Sequence, residues 1–188
     1  MIRTWCCLFI ALSFASHSLA HPHVWVDSEY RINIEQTQIS TFEGTWSLDL
    51  FTSTSLIAEY DTNFDGAFTG QEKIDLIEVL TSFDQYGYFM KLKLDGKDLI
   101  PQSVRVKNIG IRDQMLWLTL DVTLPQTIDL QTSTLSLAYG DDELYFAMEP
   151  LEAGLVHLSG PLSELCTPLE REAFETSVAY WIDLSCQS

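Results

Sequence analysis

The sequence predicts a mainly β (α+β) protein: an antiparallel β-sandwich-like body with an inserted EF-hand-like helix-loop-helix and a C-terminal helix. Three observations carry this. Period-two alternation of apolar residues recurs in short segments along the chain. It is interrupted once, over about residues 50–84, by two stretches of helical period that flank an acidic, glycine-containing loop. The last segment carries a helix-start signature.

The elements follow in order. Residues 1–20, MIRTWCCLFIALSFASHSLA, place one cation, Arg3, before an apolar run and end on small residues. That is the pattern of a secretory signal peptide; the run is too short to span a bilayer. Cys6 and Cys7 precede most of the apolar run, which argues against a lipid anchor. Cleavage after Ala20 would leave 21–188, 188 − 20 = 168 residues, as a single exported domain, placed in the periplasm, with no membrane anchor.

VWVDSEYRINIE reads as a strand with Val24, Val26, Tyr30, Ile32 and Ile34 inward and His23, Trp25, Asp27 and Glu29 outward. ISTFEGTWSLDL repeats the pattern with Phe42, Trp46, Leu48 and Leu50. The helical pair follows, its second member showing Ile74, Ile77, Leu80 and Phe83 on one face. Strands resume at YGYFMKLKL, turn at Asp95-Gly96, and continue through SVRVKNIGI, MLWLTLDVTL, STLSLAY, ELYFAM and LVHL. The final stretch, TPLEREAFETSVAYWIDL, offers Thr167 as N-cap, Pro168 at the first helical position and Glu170 as the capping-box partner, so a helix is expected.

The charge balance sets the classes of partner. Ten basic residues stand against 27 acidic ones, a formal net charge of −17. Loss of Arg3 would make it 9 − 27 = −18. Such a chain repels polyanions, so nucleic acid is excluded as a partner and cations are favoured. Cys166 and Cys186 remain after cleavage, and an isolated pair in an oxidising compartment forms one structural disulfide.

Two stretches point to metals. DTNFDGAFTGQE fits a twelve-residue calcium loop: Asp61, Asn63 and Asp65 supply side-chain oxygens, Gly66 the sharp turn, Ala67 its carbonyl, Thr69 a water-linked position and Glu72 a bidentate carboxylate. A lone loop of this kind, with no second to pair with, suits a constitutively held Ca2+ rather than a sensor.

The other stretch is HPH. If cleavage frees His21, its α-amino group and imidazole, together with His23, offer nitrogen ligands to Ni2+, Co2+, Zn2+ or Cu2+. Pro22 has no amide proton to lose, which blocks the square-planar mode built on ionised backbone amides. A further ligand must then come from the folded body. His157 or the acidic turn Asp141, Asp142 and Glu143 are the candidates, whereas Asp27 lies roughly 13 Å along the strand. The alternative is that HPH is a solvated chain end, His157 an ordinary strand histidine and the acidic turn a solvated loop.

In sequence order, His21-Pro22-His23, Trp46-Ser47-Leu48-Asp49, the Asp61 to Glu72 loop, Tyr86-Gly87-Tyr88-Phe89 before Asp95-Gly96, and Tyr145-Phe146 resemble the bacterial domain of unknown function one thousand and seven. That family is labelled a periplasmic component of an uncharacterised ABC-type transport system. The resemblance covers nearly all of the expected mature chain. It implies a role in transition-metal transport or homeostasis, with an inner-membrane metal transporter as partner. The segment from Thr167 to Ser188 is longer than the usual family ending.

The leading expectation is thus a periplasmic metal-binding accessory protein stabilised by calcium, and not an enzyme. No serine, cysteine or paired-carboxylate arrangement suggests catalysis. Two alternatives stay open: a histidine-brace copper enzyme using His21, and a calcium-stabilised interaction module in which Trp25, Trp46, Trp117 and the Tyr86 to Phe89 cluster are core or binding-face aromatics.

Overall fold

In the computed structural model, residues 23–187 are described; the expected leader and His21 lie outside them. The chain runs β1 (Val24–Asn33), β2 (Gln38–Leu48), α1 (Leu50–Tyr60), α2 (Gly70–Thr81), a 3-10 segment (Ser82–Phe89), β3 (Met90–Leu94), β4 (Lys97–Asp98), β5 (Ser103–Arg112) and β6 (Met115–Asp129). It continues through β7 (Leu135–Tyr139), β8 (Phe146–Pro150), β9 (Val156–Ser159), β10 (Cys166–Glu172) and β11 (Tyr180–Cys186). The protein is mainly β, built on two sheets.

The first sheet has the order β5-β6-β2-β1-β8, with β9 also beside β1; the second has the order β10-β11-β7-β3-β4. Alternation does what it should in β1, where Val26, Tyr30 and Ile32 are fully buried. In β2 the buried residues Ile39 and Phe42 are three apart, an odd spacing absorbed by a register shift between Ile39 and Thr41. The Asp95-Gly96 turn forms as expected, both residues having positive φ, and joins β3 to β4.

The inward faces of the two sheets share one core. Tyr30 of β1 stacks on Tyr139 of β7 with ring centroids 4.4 Å apart, and its hydroxyl donates to the Ala138 carbonyl at 2.8 Å. Trp46 lies among Phe83, Tyr88, Phe89 and Tyr139. Gly44 is required here, because a Cβ would meet the Tyr139 hydroxyl at 2.5 Å and the Met90 methyl at 2.8 Å.

Among the described residues the buried Tyr139 hydroxyl and Trp46 indole N–H make no hydrogen bond of good geometry, although Trp46 and Tyr30 are close enough to Tyr139 to act on its hydroxyl, whereas the Tyr30 hydroxyl donates to Ala138. Tyr139→Phe should therefore leave stability unchanged or raise it, while Tyr30→Phe should cost about 1 kcal/mol. Urea unfolding checks this; the reverse order would show that the Tyr139 hydroxyl is the partnered one.

Three sequence expectations are corrected. First, the C-terminal helix is a β-hairpin. Cys166 faces Cys186 across β10 and β11 and is disulfide-bonded to it, and the register runs on to Glu172 opposite Tyr180. Ile182, Leu184 and Cys186 alternate into the main core, while Trp181 packs with Ala138 and Val178 on the other face. Burial on both faces outweighs the local helix-capping pattern, and Pro168 sits on an edge strand, where a missing N–H is tolerated.

Second, the first sheet is not purely antiparallel. β8 and β9 run parallel to successive parts of β1, Val24–Ser28 and Tyr30–Asn33. Alternation reports which face is buried and says nothing of strand direction. Third, the buried face of α2 is Glu72, Leu76 and Leu80, and Ile74 is 58% exposed; Leu50 opens α1, where the helical insertion was expected to begin.

The helix pair lies against the β5–β6 side of the first sheet. Buried Ser53 of α1 donates to the Leu48 carbonyl and accepts from the Leu116 N–H. Lys73 of α2 donates to the Asn108 side chain of β5 at 2.8 Å.

Candidate metal-binding sites

The loop from Asp61 to Glu72 is closed by its own side chains. Asp61 caps α1, its N–H donating to the Ile57 carbonyl, and its carboxylate accepts from the N–H groups of Asp65 and Gly66 at 3.2 and 3.0 Å. Asn63 Oδ1 accepts from the Asp65 N–H at 2.8 Å, and Asp65 Oδ1 from the Ala67 N–H at 2.9 Å. Each side-chain oxygen so accepts from and fixes the backbone two to five residues ahead, which is why Asp and Asn are suited to these positions. Gly66 takes φ +78° at the turn, and Phe68 is buried in the main core.

Glu72, in the first turn of α2, reaches back across the loop. Its carboxylate accepts from the Thr62 hydroxyl (2.8 Å) and from the N–H groups of Thr62 (3.0 Å), Asn63 (3.2 Å) and Thr69 (3.3 Å). The Thr62 hydroxyl, the largest influence, together with these N–H groups holds the carboxyl below its ordinary range against the opposing effect of burial.

Asp61 and Glu72 are only 4% and 8% exposed, yet among the described residues no lysine, arginine or histidine is ion-paired to them or to Asp65. The donor set is oxygen alone, the chemistry of a hard cation. As the side chains stand, no three His, Cys, Asp or Glu groups among the described residues converge to hold an ion. A calcium shell here would require Glu72 to exchange its Thr62 and Asn63 donors for the metal.

The second expected site is described only from His23, since His21 lies outside the described residues. His23 is exposed at the start of β1. Its N–H donates to the Tyr145 carbonyl at 2.8 Å, and its ring lies 4.9 Å from that of Tyr145. Two residues on, Trp25 is clamped to the start of α1: its N–H donates to Asp49 Oδ2 at 3.1 Å and its carbonyl accepts from the Asp49 N–H at 2.9 Å.

Of the candidate additional ligands, His157 lies far along β1 from His23. His157 pairs in register with Arg31, eight residues or roughly 26 Å along β1. Its Nε2 lies 3.3 Å from Glu29, a carboxylate 1% exposed that also meets Arg31 at 2.5 Å. Asp142 pairs with Lys91 at 2.6 Å and accepts from Ser177. Asp141 is near in the chain to Tyr145, but its oxygens accept the N–H groups of Glu143, Tyr145 and Phe146.

Sequence reading missed Tyr145 as the neighbour of His23 and missed the burial of Glu29. The only available signal for the first was the Tyr145-Phe146 pair directly after the acidic turn.

The family model described as "Protein of unknown function (DUF1007)" matches residues 6–177. An uncharacterized protein of Haemophilus influenzae is 33% identical over 162 residues, covering 85% of this chain and 76% of its own length. No solved structure matches the chain.

Proposed function

The chain belongs to the DUF1007 family of proteins of unknown function, and we propose that it is a periplasmic metal-binding accessory protein of a transition-metal transport or homeostasis system. In this reading, calcium in the EF-hand-like loop Asp61–Glu72 stabilises a sandwich-like body, and His21 and His23 capture a transition ion for an inner-membrane transporter. The observation that carries it is the loop of oxygen donors between α1 and α2, with nearly buried Asp61 and Glu72 lacking a cationic side-chain partner among the described residues. A bound dication supplies charge neutralisation there, and the chain's own contribution is the hydrogen-bonded placement of the donors.

The exposed position of His23 supports the second part, since the site stays open to an incoming ion. The reading is tested by native mass spectrometry of untagged protein recovered from the periplasm. The expected result is a chain beginning at His21 with one calcium and one transition ion. A ragged amino terminus with calcium alone would favour the calcium-stabilised interaction module; redox turnover by a copper-loaded chain would favour the histidine-brace enzyme.

A further inference from the structure

Near the β1–β2 turn the first sheet carries a polar hollow. The ladder of β2 with β6 shifts register between Ile39 and Thr41, and such a bulge bends the strand and adds twist. A cavity of about 890 Å³ lies there, lined by Arg31, Asn33 and Glu35 at the end of β1 and by Gln38, Thr41 and Thr123 of β2 and β6. The large apolar residues of the lining, Ile39, Phe42 and Val122, are buried. An apolar ligand gains little here, whereas amides and hydroxyls that both donate and accept suit a peptide backbone.

Three charged residues of the lining satisfy one another and two remain. Lys107 lies 2.6 Å from Glu43 and 3.2 Å from Asp121. Glu43 stands opposite Arg31 in the β1–β2 ladder, but it is turned to Lys107, and Arg31 pairs through Nε with Glu29 instead. Glu29 is nearly fully buried, and its second oxygen lies 3.3 Å from His157 Nε2. This carboxylate fixes the arginine and leaves its two terminal nitrogens with no carboxylate among the described residues. A guanidinium so presented matches an incoming carboxylate with paired N–H donors. Glu35 is exposed, accepts from the Asn33 side chain at 3.0 Å, and is ion-paired to no cation among the described residues.

Arg31 and Glu35 are four residues apart where β1 ends, at most roughly 13 Å. An extended chain advances about 3.3–3.6 Å per residue, so a ligand of about three residues carries its end charges within that reach. We propose that this hollow binds a short zwitterionic peptide, its carboxylate on the Arg31 guanidinium, its ammonium on Glu35, and its backbone against Asn33, Gln38, Thr41 and Thr123. A ligand neutral overall is not repelled by a chain of net charge −17. The site uses neither the Asp61–Glu72 loop nor His23, so it stands or falls independently of the metal reading.

The test is a titration of the protein with trialanine, followed by backbone amide NMR shifts and calorimetry, beside N-acetyl-trialanine, trialanine amide and acetate. Trialanine is expected to bind saturably, with shifts centred on Asn33, Thr41 and Thr123 and absent from the Asp61–Glu72 loop. Blocking either end should weaken binding about tenfold, the scale of a charged hydrogen-bonded contact. Glu35→Gln should bind trialanine about tenfold more weakly and no longer distinguish it from the N-acetyl form. Arg31→Gln should likewise cease to distinguish trialanine from its amide. Should Arg31→Gln fail to fold, because Glu29 loses a partner, Glu35→Gln still decides, since it keeps an acceptor for Asn33. Absence of saturable binding, or binding that both blocked ends leave unchanged, would overturn the proposal. Acetate binding as tightly as trialanine, with no effect of Glu35→Gln, would overturn it in favour of a simple carboxylate site.

Discussion

Millimolar calcium is expected to raise the unfolding midpoint of this protein by about 5–10 °C. An ion at about one hundred times its dissociation constant adds about 2.7 kcal/mol to the folded state, and each kcal/mol moves the midpoint by roughly 2–4 °C in a chain of this size. The physical basis is the loop itself: Asp61 and Glu72 are nearly buried, and among the described residues no cationic side chain pairs with them or with Asp65. The double variant Asp61→Asn with Glu72→Gln should lose the calcium-dependent increment. The increment is the quantity to compare, because Glu72 also ties Thr62 and Thr69 in the metal-free loop and its loss lowers the baseline. Magnesium should give a smaller shift, since its demand for near-octahedral geometry suits a flexible seven-oxygen loop poorly. Equal midpoints with calcium and with chelator, measured by scanning calorimetry, would remove the loop from the list of metal sites.

Opening the Cys166–Cys186 disulfide is expected to cost about 3 kcal/mol, from the chain-entropy model for a loop of about twenty residues. That corresponds to a fall of about 6–12 °C in the midpoint. The bond closes the ladder of β10 against β11, and β11 joins β10 to β7 in the second sheet. Loss of the cross-link should therefore act locally first, through β10, an edge strand paired on one side only. Hydrogen exchange on the Cys166→Ala, Cys186→Ala variant checks this. Amides of β10 should exchange faster while those of β1 and β2 keep their protection relative to the global stability. Equal acceleration in β10, β1 and β2 would show that the whole cost is carried by the unfolded chain, as in the entropy model, with no local opening of β10.

The local features were legible in the sequence. Alternation in VWVDSEYRINIE places Val26, Tyr30 and Ile32 inward; Asp95-Gly96 makes its turn; and the helix-loop-helix occupies the predicted segment. These depend on neighbours a few residues apart, where backbone geometry leaves few choices.

Long-range pairing decided the rest. The capping pattern at Thr167 and Glu170 favours a helix in isolation, but the register of Cys166 with Cys186 and the burial of Trp181 and Ile182 on opposite faces require a strand. Whether His157 or the acidic turn reaches His23 depends on which stretch of β1 each strand joins. β9 meets β1 at Arg31, whereas β8 begins beside Val24, and so it is Tyr145 that arrives at the histidine. Glu29 reads in the sequence as an outward residue, yet it is buried against His157 and Arg31. The amino-acid sequence by itself determined the local elements, the donor set and its charge. Only the tertiary structure decided which residues meet, because register between distant strands follows from the packing of the whole core, not from the propensities of any one segment.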